Sequence, residues 1–470
     1  MLFTVEEVIR ITRGKLWWGE PKGAFHGALI DSRAVEGGEL FFPLQGDKAD
    51  GHNFILDALK KGARGSLLER DKLSLLNTGM IPEGKVVIVV ENSIHSLQKL
   101  ASYHRNKFSL PIIAVTGSSG KTTTKDLIAS VLSTRYNMLK TEGNLNNHLG
   151  VPLTLLRLRE EHQAAVMELG MSGLGEIALL TSLTKPAFGV ITNIGEAHLG
   201  LLGSIDNIAR AKGELLKTMG PQGKALLNGD DPLLRAMGDK FEGKSFYYGF
   251  EDGADLRALS CSPHDMGYGF EAAFPNGEMK SFWIPLLGKH NVYNALAAAA
   301  VGFHFSLEPD EIKKGLAVGN ITKLRMEKTL VKGGFWVIND SYNANPASMK
   351  AALHSLKESA QNNVSIAVLG EMLELGSAAE EKHFEVGKYL AFLGIDLLIT
   401  LGTLASHISQ GAREAGFPPE KIIEASSNRE VIEGLESIHL PGAFILIKGS
   451  RGMKMEKIAE ELLAKHGTTE

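Results

Sequence analysis

The segment TGSSGKTTT, residues 116–124, follows the apolar run PIIAV and precedes the helical pattern KDLIASVLSTRY. Gly117 and Gly120 permit a tight loop whose amides, with those of Ser118 and Ser119, can face a polyphosphate. Lys121 can reach the outer phosphates, Thr122 can hold Mg²⁺, and Thr123 continues the first helical turn. The helix N-terminus adds a favourable field for anions. A full phosphate loop has one more Gly five residues before Gly120; Val115 stands there, so the loop is a shortened variant. Without a ligand, the same residues make a Gly-rich turn.

Two further apolar runs end in groups able to bind a cation. AAVMELG ends in Glu168, and FGVITNIGEAHLG ends near Asn193 with His198 in the following loop. Taken singly, Glu168 reads more readily as a helix cap and His198 as a surface residue. Taken together, Thr122, Glu168 and His198 follow three strands of one unit and could converge on Mg²⁺, leaving positions for water and phosphate. The stretch SIDNIARAKGELLKTM, 204–219, then sets Ile205, Ile208, Leu215, Leu216 and Met219 on one helical stripe, with Lys212 near its middle. A buried ammonium must be paired, neutralised or chemically changed. A plain alternative is an amine that snorkels outward or pairs with Glu168.

These groups need elements to hold them. Apolar runs alternate with helical patterns, so the expected class is α/β, with parallel sheets covered by helices on both faces and ligands beyond the carboxyl ends of the strands. Three domains are expected: 1–108 with ELFFPLQG and GKVVIVVEN as strands, 109–322 opening at PIIAVTG, and 323–470 with FWVIND, SIAVLGE, DLLITLG and AFILIKG. The 470 residues suit two or three domains. Apolar residues at 44% and charged residues at 22% are ordinary for a globular chain. A formal net charge of −4 argues against a general nucleic-acid binder. The single Cys261 excludes an intramolecular disulfide framework and a cysteine metal cluster. Glu6, Glu7 and Arg10 interrupt any signal-like apolar region, and no apolar run is long enough for a membrane span. The expectation is a soluble, cytoplasmic monomer.

The chain resembles the Mur ligases, ATP-dependent amide-forming enzymes of cell-wall precursor synthesis. The resemblance extends over its whole length and rests on TGSSGKTTT, TEGNLNNHLGVP (141–152), ELG at Glu168, NIGEAHL at His198 and AKGEL at Lys212. It implies ATP and Mg²⁺ as cofactors, with Lys121, Glu168, His198 and Lys212 catalytic and Thr122, Glu168, His198 and Lys212 serving the metal. It also implies that Lys212 is modified to a carbamate. Reaction with CO₂ needs the neutral amine, which an apolar site favours. GKHNVYNALAAAA is similar to the family's adenine-side motif, with His290, Asn291 and Asn294. Asn291 and Asn294 share a helix face, and capping that helix is their other reading. Arg325 in KLRMEK and Asp340 at the end of FWVIND would close over the nucleotide, an Arg for phosphate charge and an Asp for ribose hydroxyls. An interdomain salt bridge is the alternative.

Within the family, the N-terminal stretch LIDSRAVEGGELFFPLQGDKADGHNF resembles the uridine-binding domain of the later ligases. It would set Ser32, Arg33, Gln45 and Gly46 at the UDP moiety, with Asn144, Asn146 and Asn147 also on the UDP substrate. An Asn-Pro-Arg tripeptide, which marks the member selecting a diamino acid, is absent, and DSYNANPASM matches the member that adds a dipeptide. The resemblance therefore implies ligation of D-alanyl-D-alanine to UDP-N-acetylmuramoyl-tripeptide. The ligase adding the third residue, a folylpolyglutamate-type relative and a non-catalytic nucleotide-binding subunit are the competing readings. LGEMLELG (369–376) and KGSRGMKME (448–456) follow strands of the last unit and could face the dipeptide.

Overall fold

The computed structural model describes residues 1–46, 49–264, 267–319, 322–438 and 440–468. The chain divides into two compact units. The first comprises Met1–Ala114, Asn137–Gly170 and Ala178–Pro186; the second comprises Val115–Tyr136, Met171–Ile177 and Ala187–Glu470. The class is α/β. Among the described residues, no helix is long and apolar enough to cross a membrane.

In the first unit, strands are ordered Lys15–Trp18, Val86–Val90, Gly65–Glu69, Leu40–Phe41, Ala28–Leu29. All neighbours are parallel except the first pair. The four valines and the isoleucine of VVIVV are all buried, as expected of a strand covered on both faces. Phe41, Ile55, Leu59, Leu68 and Val87 form its core. Helix Val5–Thr12 begins with a reciprocal capping box between Thr4 and Glu7. The parallel pair Met138–Lys140 and Ala164–Glu168 also belongs to this unit, so Glu168 ends a buried strand.

In the second unit, Phe188–Ile191, Lys224–Asn228 and Lys244–Gly249 run parallel. The expected alternation of strands and helices stops there. Lys244–Gly249 leads directly into Leu256–His264, and this strand, Gly267–Ala273 and Met279–Ile284 form an antiparallel meander. Its half-exposed pattern is that of a sheet with one wet face. The C-terminal sheet is ordered Glu327–Val331, Phe335–Asn339, Phe444–Lys448, Ser365–Gly370, Leu397–Leu401, Ile422–Ala425. It is parallel except for its first pair. Both faces are packed, one around Leu353, Leu356 and Leu390, the other around Val368, Ile445 and Ile458. Phe335–Asn339, Ser365–Gly370 and Phe444–Lys448 thus deliver three loops from one sheet edge, the edge where α/β sheets bind ligands.

Candidate active site

The glycine loop leaves strand Ile112–Thr116 and enters helix Lys121–Leu132. Gly117 has φ 148° and Gly120 has φ 78°, both in the region that favours glycine. A Cβ on Gly117 would lie 1.8 Å from Thr192 Oγ1, and one on Gly120 would lie 2.4 Å from Asn294 Oδ1. The next strand end braces the loop. Asn193 Oδ1 accepts from the Ser119 amide at 2.9 Å, and the Ser118 hydroxyl donates to Gly195 O at 2.9 Å. The Lys121 ammonium donates to Gly117 O at 2.8 Å, folded back over its own loop. Val115, where a full-length loop has glycine, is a buried strand residue.

A cavity of about 140 Å³ opens beside this loop, walled by Gly120, Asn291, Asn294, Arg325, Asp340 and Lys448 among others. Both asparagines are buried. Asn294 Nδ2 donates to Asn291 Oδ1 at 2.8 Å, and Asn294 Oδ1 accepts from Thr124 at 3.0 Å. Asn291 also donates to Leu287 O at 2.8 Å, and neither asparagine caps the helix, whose N-cap Gly288 carries no side-chain bond. Arg325 Nη2 donates to Thr122 Oγ1 at 3.1 Å, its guanidinium lies 4.0 Å from the Tyr342 ring centroid, and its Nε is buried with no partner among the described residues. Asp340 Oδ2 accepts from buried Lys448 at 2.5 Å, and Oδ1 accepts from the Met326 amide at 3.2 Å. Asp340 therefore pairs within its own sheet.

Lys212 lies on helix Ile205–Met219, which Ser204 caps by accepting from the Asn207 amide. The side chain is 1% exposed, so it does not snorkel. Among the described residues, neither a hydrogen bond nor an ion pair reaches its amine. Burial, reinforced by the Lys121 ammonium, holds its pKa well below the ordinary lysine value. Glu168, in the first unit, is buried; Oε1 accepts from Asn146 Nδ2 at 2.8 Å, while Oε2 is buried without a partner among the described residues. His198 sits at φ 61°, and its Nδ1 lies 2.7 Å from Glu374 Oε2.

A second cavity, of about 170 Å³, joins Lys121 and His198 to Asn343, Asn345, Glu374 and Arg451. It brings together the loops after three C-terminal strands, including both segments expected to face the dipeptide.

In the first unit, Arg33 is exposed and held by Asp31 at 2.7 Å, while Ser32 is buried. Gln45 accepts from Lys72 at 3.3 Å, and the Gly46 amide donates to Ala49 O at 3.0 Å, closing that loop. Asn147 Oδ1 accepts from the Leu149 and Gly150 amides at 3.1 and 2.9 Å. Asn146 steadies Glu168, while Asn144 and Asn147 are both exposed.

Residues 115–302 match the family description Mur ligase middle domain, 324–451 match Mur ligase, glutamate ligase domain, and 24–105 match Mur ligase family, catalytic domain. UDP-N-acetylmuramoyl-tripeptide–D-alanyl-D-alanine ligase of Bacillus subtilis is 38% identical over 463 residues, covering 98% of each chain. The chain belongs to the Mur ligase family. A crystal structure of MurF from Acinetobacter baumannii superposes with a TM-score of 0.88 at 33% identity, covering 98% of this chain and 99% of that one. MurF of Thermotoga maritima, in complex with ADP, gives 0.81 at 26% identity over 93% and 98% of the two chains.

Sequence reasoning on this Mur ligase missed Glu374 and the pair Lys382–Glu196, whose Nζ and Oε1 lie 2.8 Å apart. A carboxylate in a loop after a strand was visible. Its contact with a histidine 176 positions away was not.

Proposed function

We propose that this Mur ligase joins D-alanyl-D-alanine to UDP-N-acetylmuramoyl-tripeptide at the expense of ATP, forming UDP-N-acetylmuramoyl-pentapeptide for peptidoglycan. The observation that carries this reading is the shared cavity of Lys121 and His198 with Asn343 and Asn345 of DSYNANP. The segment that distinguishes a dipeptide ligase faces the phosphate loop. The full-length likeness to ligases named for this reaction supports it.

In the proposed reaction, the tripeptide carboxylate attacks the γ-phosphoryl group, giving an acyl phosphate and ADP. The dipeptide amine then attacks the acyl carbon and phosphate leaves. Bringing two anions together needs fixed positive charge, which Lys121 and Arg325 supply. The amides of 117–123 hold the phosphates, Asn291 and Asn294 face the adenine side, and Asp340 receives the ribose. Ser32, Arg33, Gln45, Gly46, Asn144, Asn146 and Asn147 serve the UDP end.

Taken singly, the donors suit Mg²⁺. Glu168 keeps one buried carboxylate oxygen unpartnered, a site a hard cation satisfies, and Thr122 offers a hydroxyl oxygen. Thr122, Glu168, His198 and Lys212 would hold the metal, which supplies charge neutralisation when bound. Lys212 as a carbamate accounts for a buried amine without a counter-ion. Its neutral form is the one that reacts with CO₂, and the product turns repulsion from Lys121 into attraction.

A phosphate-release assay tests the reading. Release should require ATP, UDP-N-acetylmuramoyl-tripeptide and D-alanyl-D-alanine together. Equal or faster release with UDP-N-acetylmuramoyl-dipeptide plus lysine or diaminopimelate would move the chain to the ligase that adds the third residue. Phosphate release with neither pair would leave a nucleotide-binding subunit.

A further inference from the structure

The cavity shared by Lys121 and the C-terminal loops carries two carboxylates, Glu196 and Glu374, beside the cations Lys121 and Arg451. Glu196 is engaged by Lys382 at 2.8 Å. Glu374 is 54% exposed, with Oε2 2.7 Å from His198 Nδ1. Its loop is pinned on every side. The Met372 amide donates to His383 Nε2 at 2.8 Å, the Leu373 amide donates to Ser450 Oγ at 2.9 Å, and Glu374 O accepts from the Gly200 amide at 3.1 Å. Glu374 itself sits at φ 68°, a conformation a non-glycine residue keeps only where its surroundings impose it. A carboxylate is thus held at a fixed point of the cavity it shares with the phosphate-loop lysine.

An amine substrate enters such a cavity as an ammonium and loses hydration there. A fixed carboxylate offsets that loss and orients the nitrogen. The Arg451 guanidinium on the same cavity matches the carboxylate of a zwitterion. We propose that Glu374 receives the ammonium of the incoming dipeptide and positions its nitrogen for attack on the acyl phosphate, an assignment that rests on the ligase reading above. Glu374 is a positioning residue for the amine and takes no part in making the acyl phosphate.

Glu374→Gln keeps the size of the side chain and its ability to hydrogen-bond His198. The KM for D-alanyl-D-alanine should rise about tenfold to hundredfold, as for loss of a charged hydrogen bond. Formation of the acyl phosphate can be followed without dipeptide, as scrambling of ¹⁸O from the β–γ bridge of ATP driven by the UDP-tripeptide. This exchange, and the KM for ATP, should stay at wild-type values. Glu374→Asp, which keeps the charge, should fall between wild type and Glu374→Gln in dipeptide KM. An unchanged dipeptide KM in Glu374→Gln would overturn the assignment. So would isotope exchange that falls in parallel with ligation, because Glu374 would then act through His198 or loop closure. Failure of the wild-type protein to ligate would instead count against the ligase reading, and needs no variant to detect.

Discussion

Arg325 Nη2 donates to the hydroxyl of Thr122 at 3.1 Å, tying the segment before the C-terminal sheet to the first turn of the phosphate-loop helix. Arg325→Ala removes this bond and the stack on Tyr342. The kcat/KM for ATP should fall about tenfold to hundredfold, the range for a charged hydrogen bond. Arg325→Lys should recover little of it, because an ammonium has neither the planar fork nor the flat face that meets Tyr342. Steady-state kinetics at varied ATP decide this, and full recovery in the lysine variant would sink it.

Lys121→Ala should abolish ligation while leaving the fold intact. The side chain is only partly buried, and its ammonium donates to the carbonyls of its own loop at Gly117 and Ser118, so the packing lost is small. Circular dichroism and thermal melting should match wild type while phosphate release vanishes. Wild-type turnover in a folded variant would remove the phosphate-loop assignment.

Lys212→Ala should keep its helix, since alanine has high helix propensity, and lose ligation. Lys212→Arg should fail too, because a guanidinium stays cationic and forms no such carbamate. Added formate or acetate should partly restore the alanine variant by lodging a carboxylate in the vacated space, less well than a tethered group. A plain lysine reverses the pattern, with arginine substituting and carboxylates doing nothing. Wild-type protein equilibrated with ¹³C-bicarbonate should also show a carbamate carbon resonance that Lys212→Ala lacks. This readout does not depend on turnover.

His383 makes a pH-dependent contribution to stability. Its Nε2 accepts from the Met372 amide at 2.8 Å and its Nδ1 lies 2.6 Å from Ala379 O, partners that assign the proton to Nδ1. Burial lowers its pKa from the ordinary 6.5. As pH falls below about 6.5, the unfolded chain takes up a proton that the folded chain refuses. Stability is therefore lost on acidification, at up to about 1.4 kcal/mol per pH unit, until the folded pKa is reached. Urea denaturation from pH 7.5 to 5 should show a shallower slope for His383→Gln. Identical slopes would show that His383 does not titrate differently on folding.

The strands that carry the chemistry were legible because each is a short apolar run ended by a glycine or a charged residue, as in IIAVTG and FILIKG. Lys212 was legible for the opposite reason, as one charge on an apolar stripe. The meander from Leu256 to Ile284 was not, because its strands are half exposed and carry little apolar periodicity. The motif around Asn146 was visible, but the reason for that residue was not. Its partner Glu168 lies 22 residues away and is reached only through the fold. Glu374 depends on a left-handed backbone and on an amide donated from Gly200, and neither leaves a local mark.

Gly200 and Gly376 meet backbone to backbone. A Cβ on Gly200 would lie 2.5 Å from Gly376 N, and one on Gly376 would lie 2.8 Å from Gly200 Cα. Most contacts between loops are made by side chains, and a bacterium under an antibiotic can exchange those one codon at a time. Here any replacement strikes peptide atoms that no rotamer can move aside. An inhibitor that anchors on the amides and carbonyls of this crossing would bind atoms common to every amino acid, and the usual route to resistance would require two loops to be rebuilt together.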